Sequence, residues 1–122
     1  MRFQPDSLAG VNVVNSFAPG QVIVNAEPWP GSVIVPWKGD VRAWPPKAPG
    51  DLAPEHVAAV LECNPEVVIY GSGPGLRFPP PAVMRALIEA RVGYETMDSG
   101  AACRTYNVLA TEGRRVVLAV LA

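Results

Sequence analysis

Histidine occurs once in this chain of 122 residues, at His56, and cysteine twice, at Cys63 and Cys103. A single histidine excludes a His-rich metal centre, and any His-dependent catalytic triad would have to use His56. The two cysteines lie far apart and form no CxxC motif. Reduced thiols in a cytoplasmic protein are the expected state, with one structural disulfide as the alternative. Basic charge is also scarce. Ten Lys and Arg stand against eleven Asp and Glu, a net charge of −1 at pH 7. That leaves no surplus to neutralise phosphates, and the Arg114-Arg115 pair is too short to form a basic patch, so nucleic acid is not an expected partner. Low net charge leaves little self-repulsion, which permits a homo-oligomer. Long apolar runs are missing as well, so no bilayer-spanning segment is predicted. No apolar run follows Arg2 in Met1–Asp6, which argues against a secretory leader. The expectation is a soluble cytoplasmic protein with no membrane insertion.

What is present suits one compact domain over residues 1–122, with 49% hydrophobic and 17% charged residues, enough for a real core. The N-terminal half is strand-like. Val11–Phe17 and Gln21–Asn25 are β-rich runs with Pro19-Gly20 between them, which predicts a hairpin. Ser32–Trp37 reads as a third strand. Pro36 cannot donate to a ladder, so that strand lies at an edge or ends there. Lys38-Gly39-Asp40 then turns the chain into Val41–Trp44, and Pro45–Gly50 is a stiff loop.

From Pro54 onward the pattern changes. Pro54 and Glu55 suit the first turn of a helix. Val57, Val60 and Leu61 form its apolar stripe, and Asn64-Pro65 stops it. Val67–Tyr70 is a short apolar run, the mark of a strand buried on both faces. Val83, Leu87 and Ala90 mark the inner face of a second helix. Gly93–Met97 is a strand, Ser99 to about Gly113 a helix, and Val116–Leu121 the closing strand. This C-terminal βαβαβ alternation, joined to an N-terminal β-hairpin or meander, predicts an α/β fold with parallel right-handed crossovers and helices covering the sheet.

Two segments carry the candidate chemistry. Gly71-Ser72-Gly73-Pro74-Gly75 ends a central strand, where ligands of open α/β sheets bind. It is no dinucleotide fingerprint, because Leu76 stands where a third glycine is needed and no helix follows at once. Asp98 or Ser99 can cap the next helix, whose start offers free N–H groups and a positive dipole end. Along that helix Ala102, Tyr106 and Leu109 should face the sheet, while Arg104, Asn107 and Thr111 form a polar stripe. The structural reading is a tight turn and a capped surface helix with Arg104 paired to a carboxylate. The functional reading makes Gly71, Ser72, Gly73, Asp98, Ser99, Arg104 and Asn107 a site for an anion or a partner's polar groups. Parallel strands would bring both segments to one edge of the sheet.

The other reactive residue types read as structural. Cys103 at a helix start could be an activated thiol, yet no histidine or second cysteine is assigned beside it, so packing is preferred. His56 is expected to face solvent without a partner acid. Asp98 and Glu112 sit near opposite ends of one helix, unsuited to joint acid–base work. Trp29, Trp37 and Trp44 gather in the strand-rich half, as core or as an aromatic patch for a partner. No catalytic residue, metal site or cofactor is assigned.

Tyr70-Gly71-Ser72-Gly73, the long block Met97-Asp98-Ser99-Gly100-Ala101-Ala102-Cys103-Arg104-Thr105-Tyr106-Asn107-Val108-Leu109, and Glu112-Gly113-Arg114-Arg115-Val116 together are similar to a family of small single-domain proteins. That family includes the adipogenesis-associated domain protein and a mitochondrial respiratory complex I assembly factor. The resemblance runs from about Phe3 onward. The family more often has Thr where this chain has Ser72 and Ser99, both hydroxyl residues able to cap. The resemblance implies a three-layer α/β fold with a mixed central sheet. It implies no established reaction or cofactor, and the mitochondrial relative acts through protein–protein contacts. Two functional expectations follow: a non-enzymatic interaction or assembly module with a protein partner, or a small anionic-ligand site between the Gly71–Gly75 loop and the Ser99 helix start.

Overall fold

The computed structural model describes residues 9–122. The reading of Met1–Asp6 and the start of the resemblance near Phe3 lie outside the described residues. A three-stranded antiparallel meander comes first: β1 (Val14–Ala18), β2 (Gln21–Val24) and β3 (Glu27–Trp29). Then follow β4 (Val33–Val35), β5 (Arg42–Ala43), α1 (Pro54–Leu61), β6 (Val67–Gly71), α2 (Arg85–Glu89), β7 (Gly93–Met97), α3 (Ser99–Thr111) and β8 (Val116–Val120). The last five strands make one mixed sheet in the order β5-β4-β8-β6-β7. β6 runs parallel to both β7 and β8, and β4 pairs antiparallel with β8 and β5.

Alternation along three inner strands builds two cores from one sheet. On one face lie Val33 and Val35 of β4, Ile69 of β6, and Val116, Leu118 and Val120 of β8. α3 and the meander cover them with Ala102, Cys103, Tyr106, Ala110, Val14, Val22 and Val24. On the other face Ile34, Val68, Tyr70, Val117, Ala119 and Leu121 pack under α1 and α2 with Trp44, Val57, Val60, Met84 and Leu87. Every residue of β8 is buried, as expected for a strand covered on both faces. Each fully buried aliphatic side chain contributes about 1.5–3 kcal/mol.

The expected hairpin is a meander because Asn25 and Ala26 turn the chain again at φ 52° and 67°, the positive values a two-residue type I′ turn demands. Val11–Val13 lie outside β1, and Val11 makes only an isolated bridge to Lys38. The third predicted strand does end before Pro36, but β4 is interior, paired on both sides. α2 begins at Arg85, with Met84 and Leu87 buried and Ala90 exposed. α1 ends as expected, where Asn64 turns left-handed at φ 54° ahead of Pro65. The paired arginines close the far end of the fold: Arg115 Nε donates to the Asn64 carbonyl (2.6 Å), and Arg114 pairs with Glu66 (3.2 Å).

Candidate functional site

β6 and β7 are parallel and end at the same edge of the sheet, with Gly71 opposite Met97. The loop after β6 and the start of α3 therefore meet. They do so by direct hydrogen bonding. The Ser72 N–H donates to Met97 O (2.9 Å), and the Ser99 N–H donates to Gly73 O (2.8 Å). The Ser99 hydroxyl donates to Leu121 O (2.6 Å) and accepts from the Gly73 N–H (2.8 Å). The Ser72 hydroxyl donates to Gly75 O (2.6 Å) and accepts from the Arg77 N–H (2.9 Å). Both serines are fully buried. Gly71 explains how the segments come so close: a Cβ there would stand 2.8 Å from Val120 Cγ2 and 3.0 Å from Ser99 Cα. Gly73 takes φ 99°, a region open to glycine.

Asp98 is the cap of α3, its Oδ1 accepting from the Ala101 N–H at 2.9 Å. That frees the Ser99 hydroxyl for its bonds to β8 and the glycine loop. Asn107 faces away from the rim. Its Nδ2 donates to Val14 O (2.7 Å) and its Oδ1 accepts from the Val14 N–H (3.0 Å). It is thus a two-point clamp on the edge of β1. Arg104 is exposed and makes no ion pair among the described residues. With Gly100, Cys103 and Asn107 it lines a groove of about 160 Å³ against Val14–Phe17 of β1. The seven candidate residues therefore divide. Gly71, Ser72, Gly73, Asp98 and Ser99 form the rim junction, while Arg104 and Asn107 belong to the β1 groove.

The remaining reactive groups are buried or half-buried. Burial pushes the Cys103 thiol up to about 12, against a smaller lowering by Arg104. Burial also raises the Tyr106 phenol, whose hydroxyl donates to Asn12 O at 2.8 Å and lies 3.2 Å from Pro36 O. Cys63 is raised by burial too, and both cysteines are free thiols. His56, expected at the surface, is instead half-buried. Its Nδ1 accepts from the Ala53 N–H (3.0 Å), and its ring stands edge-on to Trp44. Trp44 is core, not patch: it is buried, and its Nε1 donates to His56 O (3.1 Å). Trp37 likewise donates to Ala110 O (3.0 Å). Among the described residues no three His, Cys, Asp or Glu side chains converge as metal ligands.

Sequence reasoning passed over the apolar residues of the crossover between β6 and β7. Leu76, Phe78 and Ile88 are three of the five exposed large hydrophobic residues among those described, and Phe78 is 76% exposed. The signal was present in the sequence: Leu76 and Phe78 interrupt a proline- and glycine-rich loop, where a polar residue is the usual choice.

A mixed five-stranded sheet between a helical layer and a helix-plus-meander layer defines a three-layer α/β protein. The chain belongs to the family described as "Protein of unknown function (DUF498/DUF598)", whose model matches residues 14–121. A Bordetella parapertussis protein of known structure is 34% identical and superposes with a TM-score of 0.87, covering 93% of this chain and 97% of its own. A structure described as an outer membrane protein from Bartonella henselae is 29% identical with a TM-score of 0.81, covering 94% of this chain and 98% of its own. The "13 kDa major membrane protein" of Francisella tularensis subsp. holarctica is 34% identical over 61 residues, half of this chain and half of that relative's length. No helix among the described residues is long and apolar enough to cross a membrane.

Proposed function

We propose that this chain is a non-enzymatic interaction module of the assembly type, and that the crossover carrying Leu76, Phe78 and Ile88 meets a protein partner. Three of the five exposed large apolar side chains among the described residues fall on that one connection, and this carries the reading, because exposed apolar side chains gathered in one region mark contact sites. Pro79-Pro80-Pro81 follows Phe78 directly, and proline restricts the backbone before binding, which lowers the ordering entropy lost on association. The buried Cys103 thiol and the hydrogen-bonded rim fit a scaffold better than a reactive centre. The resemblance to a mitochondrial complex I assembly factor favours a partner among components of a multisubunit assembly. We propose further that the protein works in the cytoplasm, and cell fractionation tests this against the membrane descriptions of the two relatives.

Affinity capture with wild type and with a Leu76→Ser/Phe78→Ser variant tests the module, with light scattering to score a second copy of the chain as the partner. The expected result is a defined partner lost by the variant at unchanged melting temperature. Identical capture by both proteins removes the reading.

Arg104 supports a second reading, a small anion held in the β1 groove, away from the rim crevice expected between Gly71–Gly75 and Ser99. Anionic metabolites should then raise the melting temperature of wild type and leave Arg104→Ala unmoved. Equal shifts in both would end it.

A further inference from the structure

We infer that the cleft between the β2–β3 turn and the Lys38–Val41 segment binds an organic cation that carries N–H donors on an apolar stem. The cleft has a volume of about 460 Å³. Its lining includes Trp29, Glu27 and Asp40, with Val24 and Val41 as apolar wall and no Lys or Arg. An indole attracts a cation at its face, and carboxylates accept charge-assisted hydrogen bonds from an ammonium or guanidinium. The nearby cations are engaged elsewhere. The Lys38 ammonium lies 4.6 Å from the centre of the Trp37 ring, and Arg42 faces Glu62 at 3.5 Å. Glu27 and Asp40 enter no ion pair among the described residues.

The walls are fixed before any ligand arrives. Asn12 is buried between them. Its Nδ2 donates to Pro36 O (2.8 Å) and Gly39 O (2.9 Å), and its Oδ1 accepts from Asn25 Nδ2 (2.7 Å). One carboxamide thus ties the segment holding Asp40 to the turn that precedes Glu27 and Trp29. A site held this way loses little ordering entropy on binding. The cleft lies in the strand-rich half and shares no residue with the rim junction, the Arg104 groove or the β6–β7 crossover.

Titration of the 15N-labelled protein with putrescine and with N-acetyl-lysine methylamide, using glutarate as an anionic control, tests the site. The Trp29 indole N–H and the Gly39 amide should shift saturably with a cation, more weakly as salt is added, and stay still with glutarate. A Glu27→Gln/Asp40→Asn variant whose unliganded spectrum matches wild type should bind about tenfold more weakly. A Trp29→Leu variant, followed at Gly39, should lose affinity independently. Preference for putrescine identifies a free amine as the ligand, and preference for the lysine amide identifies a peptide side chain. No shift with either cation, equal response to glutarate, or unchanged affinity in the charge-neutral variant overturns the inference.

Discussion

Ser99 stands where a helix start, a glycine loop and the end of β8 meet, and its one hydroxyl serves two of them. Removing that oxygen leaves the Gly73 N–H and the Leu121 carbonyl buried without a partner, and each such group costs about 1–3 kcal/mol. Ser99→Ala should therefore lower urea stability by about 2–6 kcal/mol, and Gly71→Ala should lower it by about 1–3 kcal/mol through overpacking against Val120. Arg104→Ala, on the exposed side of the same helix, should stay within about 0.5 kcal/mol of wild type. Equal losses at all three positions would mean the junction does not hold the rim. The residue types of this junction were legible in the sequence, since Asp98 and Ser99 both read as caps. Their division of labour was not, because it depends on the Leu121 carbonyl, which arrives from a distant strand.

Cys103 adds a pH dependence at the same scale. Its folded pKa, about 12, lies above the ordinary thiol value. The unfolded chain releases this proton first, so stability is fully present below the ordinary thiol pKa and falls as pH rises from there towards 12. Tyr106 acts in the same direction. Urea melts at rising alkaline pH should show a decline that is shallower in Cys103→Ala, and identical slopes in both proteins would refute the assignment.

At the scale of elements, α3 is the piece that joins the two halves of the chain. Tyr106 reaches Asn12 and Asn107 reaches Val14, so neighbouring residues of one helix hold the approach to β1. The sequence marked Asn107 as part of a polar stripe, which was right about its chemistry and silent about its partner. Hydrophobic period and caps report a helix reliably, whereas a carboxamide aimed at a backbone 93 residues away leaves no local trace. The same limit explains β3. Its Glu27-Pro28-Trp29 has weak strand character, and its pairing is imposed by the turn at Asn25 and Ala26. Asn107→Ala should speed hydrogen exchange at the Val14 amide far more than at the central amides of α3. Unchanged protection at Val14 would show that the clamp is dispensable.

At the scale of the whole molecule, the C-terminal alternation of strands and helices was readable because each element carries its own period. The place of β4 beside β8 was not, since antiparallel addition at the edge of the parallel strands is decided by long-range burial. That addition has a mechanical consequence. β4, β6 and β8 each send alternate residues into opposite cores, so neither core can open without losing the strands of the other. The domain should then unfold as one cooperative unit. Trp44→Ala opens a cavity wholly within the α1–α2 core and should cost about 3–5 kcal/mol. Under native-state hydrogen exchange the amides of Ile69 and Leu118, whose side chains lie in the α3 core, should lose the same free energy of protection as those of Val68 and Val117, whose side chains lie in the core that holds Trp44. Loss confined to the second pair would show that the faces open separately and that α3 with the meander is a folding unit of its own.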